Sequence, residues 1–103
     1  MKKEAEAERF LRYKKEIIKI IHSVLPGCKI YLFGSRARKN HSLGSDIDIA
    51  IDANKPIKLK KIYLIQDKIE KTNIPQNVDI VDLYSASDVF KQEVANDGVP
   101  WEN

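Results

Sequence analysis

Several things are scarce in this 103-residue chain: it has one cysteine, one tryptophan, four glycines and four prolines. The lone Cys28 cannot close an intramolecular disulfide, which excludes a disulfide-stapled scaffold. No segment approaches the ~18 apolar residues of a membrane-spanning helix. The opening MKKEAEAERF has acidic residues where a secretory signal needs an apolar core, so the expected location is cytoplasmic. Internal repeats and low-complexity segments are absent. With 43% hydrophobic and 32% charged residues, the composition is that of a folded globular protein.

Charge of one sign is also in short supply, since 18 Lys/Arg against 15 Asp/Glu leave a net +3. Residues 1–52 carry 11 basic against 7 acidic side chains, and residues 53–103 carry 7 against 8. This mild bias suits a polyanionic ligand but falls short of the basic stripe of a dedicated nucleic-acid binder. The lysines between Lys55 and Lys61 read as a solvated helix face. The length suits one domain, residues 1–103, with one core and no second domain to hold a large substrate.

From Ala5 to Leu25, apolar residues including Phe10, Tyr13, Ile17, Ile20, Ile21 and Val24 recur at three- and four-residue intervals. That period predicts an amphipathic helix, stopped at Pro26-Gly27. A strand is expected over Cys28–Phe33, a short helix over Ser35–Lys39 and a second strand over Asp46–Ile51. A second amphipathic helix is expected over Ile57–Lys71, with Leu59, Ile62, Ile65 and Ile69 inward. A third strand over Asn77–Leu83 and a last helix over Ala86–Asn96 follow, the helix capped by Ser85 or Ser87 and directing Val89, Phe90 and Val94 to the core. VPWEN is expected to be a tail whose Trp101 covers the core edge or meets a partner. The order implies an α/β (α+β) fold: a small mixed β-sheet with helices packed mainly on one face.

The chemistry concentrates between Tyr31 and Asp52. On a strand, residues i and i+2 share a face, so Asp46 and Asp48 emerge together while Ile47, Ile49 and Ile51 point to the core. Adjacent carboxylates repel unless a cation lies between them, and Mg²⁺ prefers such hard oxygen ligands together with substrate phosphates. Gly34 and Ser35 follow a strand and open a helix, where free amide N–H groups receive anions. Arg36 and Arg38 add cationic donors. A third carboxylate would complete a two-ion arrangement. Asp79 and Asp82 are the candidates, and because they face opposite sides of one strand the pattern does not choose between them.

Gly34-Ser35, ten intervening residues, and Asp46-Ile47-Asp48 resemble the signature of the minimal nucleotidyltransferases of the DNA polymerase beta superfamily, including antitoxins paired with HEPN-domain toxins. The later NVDIVDL is similar to that family's third-strand segment, and the resemblance assigns the third ligand to Asp79. It implies a DNA polymerase beta-like fold and a Mg²⁺-dependent transfer of a nucleoside monophosphate, AMP from ATP, to an acceptor hydroxyl. By the same resemblance Asp46, Asp48 and Asp79 would be the catalytic, metal-holding carboxylates of a two-ion site, and Gly34, Ser35 and Arg36 would seat the triphosphate. The implied acceptor is a helical HEPN-type partner, with homo- or hetero-oligomers open. Where family members have Gly, this chain has Lys39, and Asn40 is the residue expected to adopt a left-handed conformation instead. The alternative function is a non-catalytic binding subunit or antitoxin that acts by docking a helical partner.

Overall fold

The computed structural model describes residues 6–39, 41 and 44–101. Helix α1 (Glu6–Val24) buries Ile17, Ile18 and Ile21, the three- and four-residue spacing that puts one stripe against the core. It gives way at Pro26-Gly27, where Gly27 takes φ +81°. There follow β1 (Lys29–Phe33), a four-residue helix α2 (Gly34–Ala37), β2 (Ile47–Asp52), α3 (Leu59–Glu70), β3 (Val78–Asp82), α4 (Asp88–Asp97) and β4 (Val99–Trp101).

The sheet runs β3-β2-β1-β4. Strand β1 pairs antiparallel with both β2 and β4, and β2 pairs parallel with β3 across the α3 crossover, so the sheet is mixed, as expected. One face carries Ile30, Leu32, Ile47, Ile49, Ile51 and Val78 against the inner stripes of α1 and α3. The opposite face carries Phe33 and, in register with it, Asp48. Helix α4 reaches that side through an edge-to-face contact of Phe90 with Phe33, ring centroids 4.9 Å apart. Ser87, the second of the two expected caps, accepts the Phe90 N–H at the start of α4.

Three expectations need correction. The terminal segment is a strand, not a tail: Val99 and Trp101 pair with Leu32 and Ile30, and Trp101 sits 4% exposed with its ring 5.8 Å from Phe10. Val89 is 80% exposed, because Phe90 and Val94, four apart, define the inner face of α4 and Val89 lies about 100° round from Phe90. Leu59, the first residue of α3, is 62% exposed rather than inward. Lys39, after α2, takes φ +63°, and the expectation for Asn40 lies outside the described residues.

Candidate active site

The site is assembled at the point where β1 runs into α2. Gly34 takes φ +78°, a conformation open to glycine at little cost. A second constraint acts there as well, since a Cβ at position 34 would fall on the Asp48 carboxylate. The backbone of the Gly34-Ser35 turn therefore lies directly against the acidic side chain. With only four residues, α2 has little macrodipole; what it offers an anion is the N–H groups of its first turn and the Ser35 hydroxyl.

The β2–β3 pairing sets the carboxylates. Asp48 is directly in register with Asp79 on the parallel neighbour, so both emerge on the face away from α1 and α3. The Asp48 carboxyl is pushed above the usual carboxylate range, first by burial, then by the negative charges of Asp79 and Asp46 and a hydrogen bond with Asp79, while Arg38 opposes the shift. Two further acidic charges therefore act on the Asp48 carboxyl, with one guanidinium in partial compensation. Asp46 lies just ahead of β2 and is exposed, while the backbone around it is tethered: the Ile47 N–H donates to the Asn77 carbonyl at 2.8 Å.

Asp82 has a different occupation. It lies opposite Ile51, and its two carboxylate oxygens accept the backbone N–H groups of Ile57 (3.0 Å) and Tyr84 (3.1 Å). Its charge pins the turns after β2 and β3, which separates it from Asp79 where the sequence pattern did not.

The arginines also divide. Arg36, expected among the phosphate donors, is 5% exposed. Its Nε donates to the Ser45 carbonyl at 3.2 Å and its guanidinium lies 4.8 Å over the Phe10 ring, so it points beneath the loop and not to the open face. Arg38 is the cation near Asp48, and it also meets Glu93 of α4 at 3.9 Å. The residues alone offered both arginines as donors, and the resemblance named Arg36 for the triphosphate seat.

The chemistry of Asp48 and Asp79 fits a hard divalent cation: both offer carboxylate oxygens, and their mutual repulsion is what a cation would relieve. Among the described residues no three acidic, histidine or cysteine side chains already close around a common point. A polar groove of about 320 Å³ borders Asp79, lined by Gln66, Glu70, Gln76 and Asn77 among others. An apolar cavity of about 410 Å³ lies on the other side of α2, lined by Phe10, Leu32, Ala37 and Trp101, and none of the three carboxylates reaches it.

Cys28 and His22 take no part in the site. Burial raises the Cys28 thiol, and the His22 ring nitrogen lies 3.2 Å from the Cys28 carbonyl.

Residues 9–100 match the family described as Polymerase beta, Nucleotidyltransferase. The chain belongs to this family. Similar to it is the protein adenylyltransferase MntA of Shewanella oneidensis, 35% identical over 86 residues, which are 82% of this chain and 61% of that protein. The chain spans less than two thirds of the length of the curated relatives it matches, 61–65%. Among solved structures, a toxin-antitoxin crystal structure with AMP-PNP is similar at TM-score 0.75 and 33% identity, covering 87% of this chain and 73% of that one. A tri-AMPylated Shewanella oneidensis HEPN toxin in complex with MNT antitoxin gives TM-score 0.71 and 31% identity, covering 90% and 71%. Among the described residues, no helix of this polymerase beta family member is long and apolar enough to cross a membrane.

Proposed function

We propose that the chain is a Mg²⁺-dependent nucleotidyltransferase that moves AMP from ATP to a hydroxyl on a helical, HEPN-type partner protein, in the cytoplasm. The observation that carries this reading is the register of Asp48 opposite Asp79, with the Gly34-Ser35 turn packed on Asp48. Phosphate-receiving amides and cation-holding carboxylates are useful together only where both ligands arrive together. The relatives support the substrate class: one is named a protein adenylyltransferase, one structure is with AMP-PNP, and one holds an AMPylated HEPN toxin.

In this reading the Gly34 and Ser35 N–H groups and the Ser35 hydroxyl receive phosphate oxygens, and Arg38 adds a charged donor on the same side. Asp46, Asp48 and Asp79 would hold the cations, which when bound neutralise charge on the transferring phosphoryl group and lower the proton affinity of the acceptor hydroxyl. Asp79, in register with Asp48, would be the carboxylate that helps activate the acceptor hydroxyl. The acceptor hydroxyl gives its proton to Asp79, its oxygen bonds to the α-phosphorus, the bond from the α-phosphorus to the α,β-bridging oxygen breaks, and pyrophosphate leaves with that oxygen. The protein's contribution is positioning.

The test is incubation with α-labelled ATP, Mg²⁺ and a helical partner. Label should pass to the partner with the parent chain and not with D46A or D48A. Binding of the partner without transfer by a folded parent would overturn the enzyme reading and leave a docking antitoxin.

A further inference from the structure

We propose that Arg36 is a positioning residue that brings Asp46 into the ion seat, an assignment that rests on the metal-dependent reading above. Asp48 and Asp79 are fixed by the β2–β3 ladder. Asp46 stands ahead of β2 and has no ladder of its own. Its backbone is instead tied on both sides: Ser45, the residue before it, gives its carbonyl to Arg36 Nε at 3.2 Å, and Ile47, the residue after it, donates to Asn77 at 2.8 Å. The Asn77 tether leads into β3 and Asp79, and the Arg36 tether leads into Gly34-Ser35. Arg36 thus joins the phosphate turn to the start of the acidic strand with a single side chain.

Its environment matches this role. A guanidinium that is 5% exposed is stable only if its donors are used and its face is covered, and here Ser45 accepts from it while Phe10 lies beneath it. Lysine keeps the charge but lacks both the planar fork and the Nε–H, so the clamp on Ser45 depends on arginine specifically.

The test reads metal binding directly: Mn²⁺ titration followed by electron paramagnetic resonance, with a non-hydrolysable ATP analogue present, on the parent, R36K, D46N and the double variant, each checked for folding by circular dichroism. R36K should weaken Mn²⁺ binding about tenfold, as is usual for residues that orient a metal ligand. The double variant should bind no more weakly than D46N, because Arg36 acts through Asp46. At saturating Mg²⁺ the nucleotide KM of R36K should match the parent's. Parent-like Mn²⁺ binding by R36K, losses that add in full, or a raised nucleotide KM at saturating metal would each overturn the assignment. Should the Arg36 variants not fold, F10L loosens the seat without touching the donor, and parent-like Mn²⁺ binding by F10L would overturn it instead. A parent chain that binds no Mn²⁺ with the analogue overturns the functional reading itself, a result distinct from the others.

Discussion

Gly34 and Asp48 meet so closely that a Cβ on residue 34 would clash with a carboxylate oxygen of Asp48. Because Gly34 also has φ +78°, a side chain there is strained twice, by its own backbone and by the acid it displaces. Gly34→Ala should therefore cost ~1–3 kcal/mol of stability. It should also lower AMP transfer by about a hundredfold or more, since a displacement of roughly 1 Å at a reacting centre is enough for that. Urea denaturation and labelled-ATP assays check the two halves. A variant with parent-like transfer would separate the turn from the chemistry.

The raised Asp48 carboxyl fixes the sign of a pH effect. A carboxyl that holds its proton more tightly in the folded than in the unfolded chain makes no unfavourable contribution at low pH, where it is protonated in both states. It destabilises the fold increasingly as pH rises from the ordinary carboxylate range towards its raised folded value, and the penalty stays constant above that. Asp48→Asn removes that repulsion. The metal-free variant should melt a few degrees above the parent at neutral pH, equivalent to at most ~1 kcal/mol after solvent screening. The difference should shrink as pH falls below the ordinary carboxylate range. Added Mg²⁺ should raise the parent's Tm and leave that of the variant unchanged. Thermal melts at several pH values, with and without Mg²⁺, check both.

Trp101 is 4% exposed, packed edge-to-face on Phe10 and in register with Ile30, so β4 closes the core edge. Trp101→Ala should cost ~3–5 kcal/mol, a large share of the ~5–15 kcal/mol that holds a small domain. Urea denaturation followed by circular dichroism measures it. A loss below ~1 kcal/mol would mean that β4 is only lightly attached.

The elements written in periodicity were legible. The stripe of α1 and the alternation Ile47, Ile49, Ile51 locate the core, and the same alternation puts Asp48 on the other face. What was not legible depends on contacts between distant parts of the chain. Strand β4 is three residues long with Pro100 at its centre, and only its pairing with β1 makes it a strand. Lys39 carries no local sign of a positive φ. The burial of Arg36 depends on Phe10, from helix α1, lying beneath it. Tertiary packing overrode local composition at each of these places.

Asp79 and Asp82 lie on one strand and should fail in opposite ways. Asp79 faces Asp48, so Asp79→Asn should relieve repulsion, keep the fold and abolish Mg²⁺-dependent transfer. Asp82 accepts the N–H groups of Ile57 and Tyr84, so Asp82→Ala leaves two partly buried or turn amides without their acceptor. That loss should cost ~1–3 kcal/mol. Transfer per folded molecule should survive, because the carboxylate points to the β2–α3 connection and the turn after β3, away from the Gly34-Ser35 face. Measuring urea stability and labelled-AMP transfer on both variants separates the roles. Transfer lost in D82A at a temperature where the chain is fully folded, or retained in D79N, would reverse the assignment and make Asp82 the third carboxylate.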